Sequence, residues 1–180
     1  IGSSVQVLSG LNTYGGGTVA TAGALTFGNR TAMPSTGAVA VNSGGTIGVV
    51  AVNAGFAGVN DWSNGTSGAG TIGGLIAGIG GQSVADQVTW NSGSALGIDT
   101  TNDGALTYNG VIGNFRSGPA ATRNDVGLNK LGTGTLTITN TGNIATGTHT
   151  VTAGTLALGA PGVIADTARV SPSAGGTFDM

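Results

Sequence analysis

The sequence predicts an all-β protein built as a β-solenoid, a stack of short strands joined by tight corners. Three observations carry this reading. Gly supplies 37 of 180 positions, and the poor helix formers Gly, Thr, Ser, Asn and Val break nearly every ten-residue window. Where apolar residues cluster, they alternate with Thr or other small residues at the period of a strand. One segment pattern also occurs twice, about 131 residues apart.

In chain order the clearest strands are Ala38–Val41 (AVAV), Thr135–Thr139 (TLTIT), Thr148–Thr152 (THTVT) and Thr155–Leu158 (TLAL). Each sets aliphatics on one face and Thr or small residues on the other. The runs are short and end at Gly or Asn, which tolerate the positive φ of a tight turn. At the 131-residue offset Ala22-Gly23 falls on Ala153-Gly154, Leu25 on Leu156, Val39 on Val170, and Gly44-Gly45-Thr46 on Gly175-Gly176-Thr177. One residue of slippage extends the match upstream, setting Leu8-Ser9 on Ile138-Thr139 and Gly17-Thr18 on Gly147-Thr148. Strand-and-turn repeats of this kind stack, because each turn buries its apolar face only under a neighbour. The chain is therefore read as one solenoid segment over 1–180, with equivalent repeats at about 5–49 and 135–180 flanking a more divergent centre, 50–130. At about 20 residues per coil and about 4.8 Å per strand, it would make about nine coils and a rod about 40 Å long.

Lys130 to Thr139 (KLGTGTLTIT), followed by Gly147 to Gly159, resembles the passenger-associated repeat of bacterial autotransporters and autotransporter-like surface proteins. In that pattern an L-x-K-x-G-x-G-T-L-x-L strand leads to N-T-Y-x-G-G-T and then V-x-x-G-x-L-x-L-G. Leu8 to Thr18 (LSGLNTYGGGT) matches its middle, and Gly110–Gly113 (GVIG) is similar to the segment before it. The second copy departs from the pattern, with Ile144 in place of Tyr and His149 intruding. The resemblance implies a right-handed parallel β-helix, exported and displayed on a bacterial cell surface. The expected function is a non-enzymatic structural or adhesive segment, such as a stalk, fibre or filament building block. The alternative is a carbohydrate-binding or polysaccharide-cleaving β-helix module.

Composition narrows the partners. Asp, Glu, Lys and Arg make up 7% of the chain and the net charge is −2. That is too thin a field to steer nucleic acid or an anionic membrane, which take clustered Lys and Arg. No run approaches the about 20 apolar residues of a membrane helix, so no membrane insertion by this segment is expected. Disorder is excluded by 39% hydrophobic residues and a mean hydropathy of +0.26. Ile1 in place of an initiating Met is read as a processed chain or a fragment. The absence of Cys fits export of an unfolded chain to an extracellular or cell-surface location.

Candidate chemistry is sparse, and no cofactor, metal or catalytic residue is assigned. Gly68 to Gly73 (GAGTIG) satisfies G-x-G-x-x-G, but a dinucleotide fingerprint needs a strand before it and a helix after it, and neither is expected. Asp99 to Gly104 (DTTNDG) spaces oxygen ligands somewhat like a calcium loop, yet Gly110 stands where the bidentate acid belongs; a polar turn is the simpler reading. Polysaccharide cleavage would require paired acids on adjacent coils, for which Asp86, Asp99 and Asp103 are the densest group, with Arg116 or Arg123 one coil away. His149 lacks a second His, a Cys or a nearby acid and is read as an outward-facing strand residue. Trp62 and Trp90 are expected to plug the core rather than stack on sugars. The pairs Thr137/Thr139 and Thr150/Thr152 lack the constant step an ice-binding face needs, and the sequons at Asn29 and Asn64 imply little.

The ends complete the reading. The chain enters in the phase of Leu131–Gly134 and stops at Thr177–Met180 in the phase of Thr46–Val49, with no polar cap at either edge. Both edges are expected to be covered by more of the same: adjoining repeats of a longer chain, or identical chains stacked end to end. Surface glycans are a further possible partner.

Overall fold

The structure, a computed structural model, describes residues 4–55, 57–82, 85, 87–117 and 124–180. Strands account for 41% of it and helix for 5%. In chain order the strands are β1 (Val5–Leu8), β2 (Thr18–Ala20), β3 (Gly23–Phe27), β4 (Val39–Val41), β5 (Gly45–Val52), β6 (Trp62–Ser63) and β7 (Val88–Trp90). They continue with β8 (Ala95–Asp99), β9 (Ala105–Tyr108), β10 (Gly127–Leu131), β11 (Thr135–Ile138), β12 (His149–Leu158) and β13 (Val170–Asp179). Every strand pairing among the described residues is parallel. The all-β expectation holds.

Three ladders organise the chain. The first runs β1-β3-β5-β8-β10-β12-β13; the second joins β9, β11, the second half of β12 and the end of β13; the third is β2-β4-β7. Parallel neighbours need long crossovers, and the steps along the first ladder supply them. They are 19 residues from Val5 to Ala24, 22 from Ala24 to Thr46, 49 from Thr46 to Ala95, 32 from Ala95 to Gly127, and 21 from Asn129 to Thr150 and again from Thr150 to Ser171. The expected nine coils are therefore too many. Seven strands stack in this ladder, a height of about 29 Å, because the two central steps spend residues on excursions instead of rungs.

Alternation decides which face a residue takes, although β3, β5 and β8 are buried on both faces. Leu8, Phe27, Val49, Ile98, Lys130, Val151 and Pro172 form one row of register partners, and Phe27, Val49, Ile98 and Val151 belong to the core. The row beside it, Val7, Thr26, Gly48, Gly97, Asn129, Thr150 and Ser171, has the opposite phase. Here Gly48 and Gly97 are required by close approach. A Cβ on Gly97 would lie 2.8 Å from the Gly48 Cα and 3.0 Å from Leu131 Cδ1, whose side chain lies over both glycines.

The internal repeat is real at the level of hydrogen-bond register. Thr18 pairs with Val39 and His149 with Val170; Gly23 pairs with Gly45 and Gly154 with Gly176; Leu25 pairs with Ile47 and Leu156 with Phe178. Each second pair lies 131 residues after the first, and Gly23 and Gly154 share a φ of +65°. The one-residue slip is structural at β1, where Val5↔Ala24 becomes Thr135↔Thr155, but not at Thr18, whose equivalent by register is His149 and not the expected Thr148. The copies nevertheless occupy different ladders. Gly23–Phe27 lies in the first, whereas Gly154–Leu158 joins β11 and β9 in the second, because β10 takes the first half of β12 as its neighbour.

The centre holds the large side chains. A five-residue helix, α1 (Ile72–Ile76), corrects the expectation that no helix follows the glycine motif, and β6 precedes it. Glycine's poor propensity is overridden by packing. The Thr71 hydroxyl accepts from the Gly74 N–H at 2.9 Å, and Ile72, Leu75 and Ile76 are buried. Trp90 donates to the Leu75 carbonyl at 3.1 Å and meets Phe115 edge-on at 5.3 Å.

Candidate functional site

A groove crosses the outer side of the first ladder, with a volume of about 480 Å³. Ala24, Thr46, Ala95, Asn129 and Thr150 line it, one from each of β3, β5, β8, β10 and β12. The groove therefore crosses the strands and spans about 19 Å of stack. Its depth comes from composition: the outward positions hold Gly, Ala and Thr where longer side chains would fill it. Thr152 donates to Asn129 Oδ1 at 2.7 Å, so hydroxyl and amide groups are already ordered on the wall. Asp125 is the carboxylate at the rim, and it accepts from the Ser92 hydroxyl.

The sequence-predicted acids are not brought into this groove. Asp99 is buried and its Oδ1 accepts from the Thr101 N–H at 2.8 Å and the Thr101 hydroxyl at 2.5 Å, closing its own turn. The Asp103 Oδ2 accepts from the Asn53 N–H at 3.0 Å and Asn53 Nδ2 at 2.5 Å. Asn53 and Asn64 in turn bond the backbone of β9, at Ala105, Thr107 and each other, so this side of β9 is paired by amide side chains rather than by a strand. Asp86 and Arg123 lie outside the described residues. Arg116 donates to the Thr89 hydroxyl at 2.9 Å. Among the described residues no three His or Asp side chains gather to hold a metal ion.

The remaining candidates resolve individually. Gly73 and Gly74 offer no phosphate cradle: a Cβ on either would fall within about 2 Å of the Thr66 or Gly68 carbonyl, so both pack against the preceding loop. Gly110 abuts the Tyr108 ring, and burial pushes that phenol up to about 12. Trp62 and Trp90 are fully buried, as core plugs and not sugar platforms. Thr137 pairs with Thr107 and Ala157 in the second ladder, whereas Thr150 lies in the first, so the two Thr pairs share no face. The Asn29 and Asn64 amides both donate to backbone carbonyls, so neither sequon presents a free amide.

His149 overturns its expectation. It is 4% exposed, not outward, and its Nδ1 accepts from the Leu128 N–H at 3.0 Å. The signal lay in the phase of THTVT, where His149 matches Val151 and the threonines take the other side. Burial pushes the imidazole down to about 4, which keeps it neutral with its proton on Nε2. Lys130 is the second buried polar group in these rows, stacked between Ile98 and Val151. Its ammonium donates to the Leu131, Gly132 and Ala153 carbonyls at 2.7, 2.8 and 3.1 Å. Burial pushes it down to about 8, with the Asp99 carboxylate acting in the opposite direction. Both groups serve the stack, not the groove.

No known protein family matches the chain, and neither a curated protein nor a solved structure matches it. Among the described residues no helix is long and apolar enough to cross a membrane.

Proposed function

We propose that this chain is a section of a right-handed parallel β-helix that serves as a non-enzymatic structural or adhesive element on a bacterial cell surface. The observation that carries the reading is the employment of its acids. Asp61 and Asp99 each accept from a nearby backbone N–H to close a turn, and Asp103 accepts from the Asn53 N–H to tie the segment after β5 to the turn before β9, while parallel ladders run the length of the described chain. An element that transmits length and display needs continuous pairing and asks nothing of a carboxylate dyad. The autotransporter-like repeats support the surface location. The test has two arms. Protease treatment of intact cells of the source bacterium should remove the protein, and the purified chain should turn over no polysaccharide from a neutral and uronic panel. Protection from protease would remove the surface assignment. Turnover abolished by Asp99→Asn or Asp103→Asn would replace the structural reading with an enzymatic one.

The groove favours a second reading, carbohydrate binding without cleavage. Its hydroxyl and amide lining suits a neutral glycan, while hydrolysis would need two carboxylates about 5–10 Å apart. Glycan-array binding lost in Asn129→Leu, with the fold retained, would support it. An array without binders would remove it.

A further inference from the structure

We propose that the cavity between α1 and the end of β9 is a binding site for one neutral pyranose unit, with the Tyr108 hydroxyl as the fixed hydrogen-bonding group at its floor and the Asn109 and Asn114 amides at its rim. The site shares no lining residue with the groove across the first ladder, and it stands on neither reading above.

Tyr108 ends β9 in the same core-facing phase as Leu106, and its ring belongs to the core. The residue is 1% exposed, yet its hydroxyl has no hydrogen-bond partner among the described residues. Buried phenols ordinarily find one. In this fold the buried polar groups of Trp90, Lys130, Asn143 and His149 all have theirs. Trp62 Nε1 and Thr26 Oγ1 are also unpaired, but both are sealed inside, whereas Tyr108 lines a cavity of about 460 Å³. Gly110 leaves room beside the phenol, since a Cβ there would collide with the hydroxyl oxygen.

The rim supplies further unpaired groups. Asn109 and Asn114 are exposed, line the cavity and make no side-chain hydrogen bond among the described residues, and the same holds for the Thr66 hydroxyl from the loop before α1. Their backbone, in contrast, is held. Asn140 Nδ2 donates to the Asn109 carbonyl at 2.8 Å, and Asn140 Oδ1 accepts from the Gly142 N–H at 2.8 Å. Asn114 takes a φ of +51°, the one positive value outside glycine among the described residues, and its N–H donates to Asn124 Oδ1 at 2.9 Å. Backbones held in such sparsely populated regions gather at ligand sites.

The chemistry of the lining selects the ligand class. Hydroxyl and amide groups both donate and accept, which is what the hydroxyls of a sugar ring require of a site. Ile76, Ala77 and Val111 add an aliphatic wall for its C–H face. No Asp, Lys, Arg or His is among the described lining residues, so a uronate or a phosphorylated sugar would give up water without gaining an opposite charge. The volume falls in the range of about 300–1,000 Å³ usual for small-molecule sites. The lining runs from Thr66 to Asn140 and takes no residue from the first or the last strand.

The experiment is saturation-transfer NMR on the purified chain of residues 1–180, with glucose, galactose, mannose and N-acetylglucosamine as probes and glucuronate as the charged control. At least one neutral probe should bind, and glucuronate should bind more weakly. Tyr108→Phe removes the hydroxyl alone; it should weaken sugar binding about tenfold and leave the denaturation midpoint of the sugar-free protein unchanged or higher. Asn114→Gly, which keeps the positive φ, should also weaken binding, while Asn129→Leu in the groove should not. Failure of all four neutral probes to bind overturns the inference, and so does a Tyr108→Phe or Asn114→Gly protein that binds as well as the parent. A lower midpoint for sugar-free Tyr108→Phe would make the hydroxyl a structural group and overturn it as well. Binding lost in Asn129→Leu but kept in Tyr108→Phe would put the sugar in the groove, which overturns this site and leaves the groove reading standing.

Discussion

Acidification should destabilise this protein through one buried residue. His149 sits in the core-facing phase of β12 and accepts the Leu128 N–H at Nδ1, so a proton added there meets both desolvation and a donor pointing at it. Its folded value is pushed to about 4 from an ordinary 6.5. Because the folded value lies below the unfolded one, the contribution is fully present above pH 6.5. It is lost progressively as pH falls from 6.5 to 4, where the unfolded state binds the proton and the folded state does not. The gap corresponds to about 3 kcal/mol, a large share of the about 5–15 kcal/mol that holds a typical domain together. Urea denaturation at pH 7.0, 5.5 and 4.2, compared with His149→Leu, isolates the effect because every other titrating group is common to both proteins. His149→Leu should be less stable at pH 7 by about 1–3 kcal/mol, since it leaves the Leu128 N–H unpaired, and should lose less on acidification. Parallel stability curves for the two proteins would refute the argument.

Three further outcomes follow from the packing. Gly97→Ala should cost about 1–3 kcal/mol, because its Cβ would sit 2.8 Å from the Gly48 Cα and 2.9 Å from Thr46 Cγ2; a denaturant midpoint checks this, and an unchanged midpoint would show that the rungs slide apart freely. Trp90→Ala removes the Phe115 contact and the hydrogen bond to Leu75 and should cost about 3–5 kcal/mol, read by the same midpoint. Lys130, held down to about 8 by burial, should make the protein more stable as pH rises from 8 to 10.5, since only the unfolded state then carries the extra proton; Lys130→Met should lack that rise in melting temperature.

Much of the strand register could be read from the chain alone. The 131-residue offset and its one-residue slip are the offsets of the paired rungs themselves, because Gly23 and Gly154 mark the same positive-φ corner in both copies. A strand's phase is local, so THTVT already contained the burial of His149, had the imidazole been assigned by phase instead of by polarity. The groove was less legible. It arises where Ala24, Thr46, Ala95, Asn129 and Thr150 stack, five residues with no sequence proximity.

Local chemistry, then, determined the strand class, the corners and the core-facing alternation, because period and turn propensity act over a few residues. Tertiary structure decided the rest. The central steps of 49 and 32 residues set the number of rungs, since nothing in a Gly- and Thr-rich excursion announces where the chain will return to the ladder. The helix at Ile72–Ile76 forms against its propensity because burying Ile72, Leu75 and Ile76 outweighs two glycines. Asp99 and Asp103, four residues apart in sequence and available to chemistry on paper, were drawn into turn and edge pairing. A buried or half-buried carboxylate takes the nearest N–H groups the fold presents, and only the fold determines which those are.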